Sequence, residues 1–249
     1  MSVNMGKRRY AAGIYTKQRP DAAILAALYV DDYEKERLKM KGNLPEKIAP
    51  SICFSRKIGV GALEIADMLA GKINVPVVDR EILDHMAKDA KLSKRAIEIF
   101  DERYPGKMTE LAAMLFGEKS FIMSDYIRNF VSTVFAFADR GSTIFVGRGT
   151  HLVLPRDRVL AVRFISSNEF RIKRLAKVLD VKEKEADKLL VRTDKEQRDF
   201  FKKVFEKNDA SPYEFDLVIN CDYITEPQGA VEIVKLAFRE KFSYGAKEK

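Results

Sequence analysis

From about residue 50 onward, short unbroken apolar runs alternate with longer stretches whose apolar residues recur at helical spacing. The runs "SICFS", "VPVVD", "STIFVG", "RVLAVRFIS" and "FDLVINCD" are rich in β-branched residues and predict five buried strands. Between them, "ALEIADMLAGKI", "NEFRIKRLAKVL" and "EKEADKLLVRTDKEQRDFFKKVF" predict helices, and a last helix spans about 228–242. The region from about 80 to 140 is helix-rich. In its segment "SDYIRNFVSTVFAFADRG", Ile127, Phe130, Val131, Val134, Phe135 and Ala138 form one apolar face. Its phenylalanines read as core. Continuous strands alternating with helices predict an α/β fold with a parallel sheet covered on both faces. Ligands of such sheets bind beyond the carboxyl ends of the strands.

The first fifty residues follow another pattern. "RPDAAILAALYVDDYEKERLKMKG" reads as a helix capped by Asp21 after Pro20 and closed by Gly42, apolar in its first half and charged in its second. That division suits docking on the main domain or on another copy of the chain, giving a homo-oligomer. "NLPEKIAP" is a linker punctuated by Pro45 and Pro50. The expected organisation is an extension over 1–49, a domain over 50–242 and a polar tail over 243–249.

Composition narrows the function. The chain has 249 residues, 46% hydrophobic and 33% charged, enough for one sizeable core. No apolar run approaches the roughly 18–20 residues needed to span a membrane. The basic start "MSVNMGKRRY" is not followed by a signal-peptide pattern, so a cytoplasmic protein is expected. A net charge of +8 favours polyanionic partners, nucleotides or nucleic acid, although a solvated basic surface has the same charge. No RNA-binding aromatic signature, zinc-finger spacing or arginine-rich tract supports more than nonspecific attraction to nucleic acid. Cys53 and Cys221 fall in strand-like segments and read as buried reduced thiols, with a bridge open only if their strands are neighbours.

The stretch "SRKIGVGALEIA" is a strand, a glycine turn and a helix start. Glycines let the main chain turn tightly, and free amides at the helix start point at anions. A tight turn without ligand has the same residues. Laid over GxxxxGK[ST], Arg56 replaces the first glycine, Gly61 matches the second, Ala62 replaces the lysine and Leu63 replaces the hydroxyl residue. Arg56 and Lys57 lie on the same loop as candidate substitutes for the lost charge. Glu64 stands where a shifted hydroxyl position would fall.

Four further segments follow in order: "VPVVDREIL", "IFVGRGTHLVLPRDRVLAVRFISSNEFRIKRL", "LLVRTDKEQRDFFKKVF" and "YEFDLVINCDYITEPQGAVEIV". Together with the glycine turn they resemble the cytidylate kinase-like family of nucleoside-monophosphate kinases, over roughly residues 50–240. The resemblance implies a three-layer P-loop fold, with a five-stranded parallel sheet and helices on both faces. It also implies a helical monophosphate-binding insert at about 80–140 and a lid at about 183–210. The implied reaction is γ-phosphoryl transfer from ATP to a nucleoside monophosphate or a related small acceptor, with Mg2+. A non-catalytic nucleotide-binding regulator that keeps the fold is the alternative.

On that resemblance Arg56, Lys57, Gly59, Gly61 and Ala62 form the donor-phosphate loop. Asp79, Arg80 and Arg148 hold the acceptor, and Arg192, Asp194 and Arg198 close over the reaction. True cytidylate kinases read GRD where this chain reads "GRG", so Gly149 replaces the acidic residue and puts cytidine recognition in question. Which residue holds the metal is left open between Glu64 and Asp79. Asp79 also reads as a helix cap. Arg192 and Arg198 are six apart, and a bend near Thr193 would bring both inward. The same segment reads as an exposed charged helix with an Asp194–Arg198 pair. Arg171 and Arg174, three apart, read either as supplementary phosphate contacts or as surface charge. His85 and His151 read as structural.

Overall fold

The five apolar runs form one parallel sheet in the computed structural model, which describes residues 3–5, 8–10, 48–116 and 124–243. A short antiparallel pair, β1 (Val3–Met5) and β2 (Arg8–Tyr10), precedes it. The predicted helix within 21–42 lies outside the described residues. The sheet strands are β3 (Ser51–Arg56), β4 (Val77–Asp79), β5 (Ile144–Val146), β6 (Val159–Ile165) and β7 (Leu217–Asn220). Their order is β4-β5-β3-β6-β7, so β3 is central and its following turn lies in the middle of the carboxyl edge.

Strand geometry sends successive side chains to opposite faces. On one face Ile52 and Phe54 of β3 pack with Ile144, Val146, Leu160, Val162 and Phe164 under α1 (Ala62–Ile73) and α8 (Pro227–Ser243). On the other, Cys53, Val78, Phe145, Val159 and Ala161 join a second core. That core is built by α2 (Arg80–Lys88), α3 (Ala90–Arg103), α4 (Lys107–Phe116) and α5 (Asp125–Arg140). All six apolar residues predicted to share a face of α5 are buried. A third, smaller cluster joins Ile58 of the glycine turn to Leu175 and Leu179 of α6 (Asn168–Leu179). It also includes Ala186, Leu189 and Leu190 of α7 (Glu183–Phe205). The turn is thereby pinned to both helices.

Cys53 and Cys221 are free and buried. β6 separates their strands, so they do not bridge. α7 runs unbroken for 23 residues, so there is no break at Thr193. Thr193 is buried and its hydroxyl donates back to the Leu189 and Leu190 carbonyls (2.9 and 3.1 Å), which satisfies it inside the helix.

Candidate functional site

Three turns meet at the carboxyl edge of the sheet. The glycine turn follows β3, Asp79 and Arg80 follow β4, and Gly147–Gly149 follow β5. In the first, Gly59 (φ 90°) and Gly61 (φ 86°) both occupy the left-handed region, and Gly61 caps α1 without any side-chain hydrogen bond. Among the described residues, the amides of Gly59, Gly61, Ala62 and Leu63 donate to no protein acceptor. They are the open N–H groups of a helix start, with its partial positive charge.

Two arginines of α6 lie against this turn. Arg171 is buried, and its Nη1 donates to the Ile58 carbonyl (3.2 Å) and to both oxygens of Asp194 (3.1 and 2.9 Å). Its Nη2 donates to Asn168 Oδ1. Asp194 therefore does not pair with Arg198 as its position on the helix suggests. It fastens α7 to α6 and the turn through Arg171, a contact across 23 residues of sequence that helix periodicity does not encode. Arg174 lays its guanidinium on Gly61, where an added Cβ would meet Cζ and Nη2 at 2.9 Å. Its Nη2 donates to Glu64 Oε2 at 2.6 Å.

The cations expected on the loop itself point elsewhere. Arg56 is buried with its guanidinium against Gly147, 2.7 Å from where a Cβ would stand. Lys57 faces Asp209 at 3.8 Å. It lines a small recess with Arg163, Asp194, Gln197, Arg198, Phe201, Asn208 and Asp209. Arg198 thus borders a polar recess next to the turn, while Arg192 is exposed. Gln197 ties the helix to the loop by donating to the Arg56 carbonyl (3.0 Å).

At the second turn, Asp79 caps α2, one carboxylate oxygen accepting from the Glu81 and Ile82 amides (2.9 and 3.1 Å). The cap role expected of Asp79 is thus real. Arg80 is buried. At the third turn, Arg148 adopts a left-handed backbone (φ 56°), ion-pairs with Asp84 and stacks at 4.0 Å over the Phe200 ring. Tyr126 donates to the same Asp84 (3.0 Å), and burial together with the Asp84 charge pushes its phenol up, against Arg148 and Arg80. Gly149 is enclosed, since a Cβ there would stand 2.5 Å from the Phe205 ring.

Sequence reasoning missed Asp84, Tyr126, Phe200 and Phe205. Asp84 lies one helical turn beyond Arg80, and that spacing was a readable sign. The aromatic end of α7, "DFFKKVF", was another. His151 is buried on the Phe215 ring, with Nε2 3.3 Å from Glu214 Oε2, away from these turns.

Among the described residues, no three His, Cys, Asp or Glu side chains cluster as metal ligands. Magnesium needs no such cage, because it is commonly held by one or two carboxylates together with substrate phosphates and water. Asp79, at the carboxyl end of β4, is a carboxylate in that position. Glu64 is engaged by Arg174.

A central strand, glycine turn and helix in a sheet of order β4-β5-β3-β6-β7, with four helices between β4 and β5 and a long helix before β7, define a P-loop protein of kinase-like fold. The chain belongs to the cytidylate kinase-like family, whose model matches residues 51–223. A crystal structure of an uncharacterized protein from Eubacterium ventriosum ATCC 27560 is similar to it, with a TM-score of 0.59 at 20% identity. The match covers 78% of this chain and 99% of that one, and shows a shared fold. A shikimate kinase from Bacteroides thetaiotaomicron is 17% identical over 77% of this chain and 96% of its own, with a TM-score of 0.37. A gluconokinase from Sinorhizobium meliloti 1021 is 12% identical over 82% and 99%, with a TM-score of 0.45. The last two superpose too loosely to carry an argument. Comparison with curated proteins gives no match. Among the described residues, no helix is long and apolar enough to cross a membrane.

Proposed function

We propose that the protein is a phosphotransferase moving the γ-phosphoryl group of ATP to a nucleoside monophosphate or a related small acceptor. The observation that carries this reading is the pair of basic sites on one sheet edge. Open amides at Gly59, Gly61 and Ala62 lie after β3, and Arg80 and Arg148 lie after β4 and β5. Such transfer depends on positioning and charge neutralisation more than on a proton-transfer base, and this site offers both. An acceptor oxygen bonds to the γ-phosphorus as the bond to the β-phosphate oxygen breaks, and ADP leaves. Mg2+, when bound, would neutralise donor-phosphate charge, with Asp79 and Glu64 as the two candidate carboxylates.

In this reading Arg56, Lys57, Gly59, Gly61 and Ala62 form the donor side, and Asp79, Arg80 and Arg148 form the acceptor side. Asp194 keeps the lid helix registered on the turn, Arg198 borders the recess, and Arg192 meets ligand only if the lid moves. The domain over 50–242 would act in the cytoplasm, with residues 1–49 as a docking element for the domain or for a second copy. A coupled assay with ATP, Mg2+ and each of CMP, UMP, dCMP and AMP tests the proposal. Turnover of at least one is expected. No turnover with any of them, beside saturable ATP binding, refutes it.

A second reading, a non-catalytic nucleotide-binding regulator, has its own observation. At Gly149, where true cytidylate kinases carry an acidic residue, a Cβ would meet the Phe205 ring, and Arg148 is already held by Asp84 and Phe200. ATP binding without turnover is its signature.

A further inference from the structure

We propose that Arg174, delivered from α6, supplies the cation that the glycine turn lacks, and that Glu64 is the positioning residue that keeps it there. The inference rests on the nucleotide reading above and assigns that site its missing charge. The lysine of a full phosphate loop reaches the β- and γ-phosphates from the helix start itself. Here Ala62 takes that position, and its methyl group brings no charge.

Of the basic side chains around the turn, Arg174 is the one lying on Gly61. Its Cζ and Nη2 come to 2.9 Å, and its Nε to 3.0 Å, from the point a Cβ would occupy. Only glycine admits that approach, and the left-handed φ of Gly61 favours glycine as well. The other three cations have different employment. Arg171 is committed to Ile58, Asp194 and Asn168, Arg56 lies on Gly147, and Lys57 faces Asp209.

Among the described residues, Glu64 is the one hydrogen-bond partner of Arg174, so most of its N–H donors are uncommitted. A guanidinium is always charged and grips phosphate oxygens in pairs, which suits it to replace an ammonium group. Glu64, in the first turn of α1, fixes one edge of the fork through a single carboxylate oxygen and leaves the rest for a ligand. Its side chain is 34% exposed and that of Arg174 is 18%, so the pair stands at the mouth of the turn rather than in the core. This gives an otherwise unfavourable carboxylate beside an anion site a physical purpose.

The test is calorimetric titration of the full chain with Mg·ATP, ADP and AMP. It compares wild type with Arg174→Ala, Arg174→Lys, Glu64→Gln and the Arg174→Ala/Glu64→Gln pair, each checked for an unchanged unfolding temperature. Losing charge-assisted bonds to phosphate predicts a loss of about ten- to hundredfold in ATP affinity for Arg174→Ala. AMP affinity should change far less, and Arg174→Lys should restore part of the loss. The double variant should stay weak, because the defect is a missing cation and not repulsion by an unpaired Glu64. If wild type binds ATP and Arg174→Ala binds it within twofold, or the double variant recovers wild-type affinity, the arginine assignment is overturned alone. If wild type binds no ATP, the nucleotide reading falls and takes this assignment with it.

Discussion

Restoring the family's acid by Gly149→Asp should destabilise the domain without recreating a cytidine site. Gly149 has φ 69°, and a Cβ there would stand 2.5 and 2.8 Å from Cε2 and Cζ of Phe205. The left-handed backbone costs a residue with a Cβ about 1 kcal/mol. Forcing the ring of a 4% exposed phenylalanine aside costs about 1–3 kcal/mol more. Adding the carboxylate to that contact brings the total to about 2–5 kcal/mol. For a domain of this size that lowers the unfolding temperature by about 5–15 °C. Thermal unfolding of wild type, Gly149→Ala and Gly149→Asp measures it directly. The clash is isolated by adding Phe205→Ala, which alone removes a buried ring at about 3–5 kcal/mol. In the Gly149→Asp background its cost should shrink by at least about 1 kcal/mol, as expected for residues in contact. An unshifted Gly149→Ala, or strictly additive effects of the pair, would refute the steric reasoning.

Four further outcomes are expected. Asp139, on α5, accepts from Arg103 Nε and Nη2 (3.1 and 2.9 Å) and from the Tyr104 hydroxyl (2.7 Å), clamping α3 to α5. Asp139→Ala should cost about 2–4 kcal/mol in urea unfolding by removing the buried acceptor that Arg103 and Tyr104 share, and a loss under about 0.5 kcal/mol would contradict this. Burial holds His151 below its ordinary 6.5 despite the attraction of Glu214, so the unfolded chain takes up a proton that the folded chain declines. Stability should therefore fall as pH drops below about 6.5, and His151→Gln should flatten that slope between pH 7 and 5. Burial opposes ionisation of Glu214, but hydrogen bonds from His151 and Lys207 and the Lys207 charge overcome it and set its pKa at about 2. The stability it contributes, present above 4.5, is lost as pH falls towards that value. Burial pushes Cys53 up to about 12 and Cys221 to about 11, so neither thiol should react with an aromatic disulfide reagent at pH 8 until denaturant is added.

Local signals in the chain carried the elements well. The helix "ALEIADMLAGKI" has its predicted ends, because Gly61 and Asn74 both take the left-handed backbone that starts and stops it. The apolar face of α5 was readable from its period, since burial of a helix follows its amphipathic stripe. What could not be read were partners chosen by packing between distant elements. Asp194 has Arg198 one turn away on its own helix, yet pairs with Arg171, because α6 presents a buried guanidinium that requires a counter-charge. The enclosure of Gly149 by Phe205 is of the same kind, as is the placement of Arg174 on Gly61. The break near Thr193 that would have turned both Arg192 and Arg198 inward is absent, because α7 continues through it and the threonine hydroxyl is satisfied within the helix.

Ala62 and Gly149, the departures from the full phosphate loop and from the GRD of true cytidylate kinases, therefore differ in physical character. At the glycine turn the missing lysine leaves the open amides of the helix start in place, and on the proposed reading Arg174 brings the charge back from a neighbouring helix. At the acceptor turn the change is shared among contacting groups. Phe205 occupies the space over Gly149, Phe200 lies beneath Arg148, and Asp84 holds that arginine while accepting from Tyr126. No single reversion undoes such a set, because each member is packed against the next and a change at one leaves a clash or a void at another. On the proposed reading, acceptor choice is consequently a property of the aromatic end of α7 as much as of the turn itself. Substitutions at Phe200 and Phe205 should shift it more than any single change at position 149.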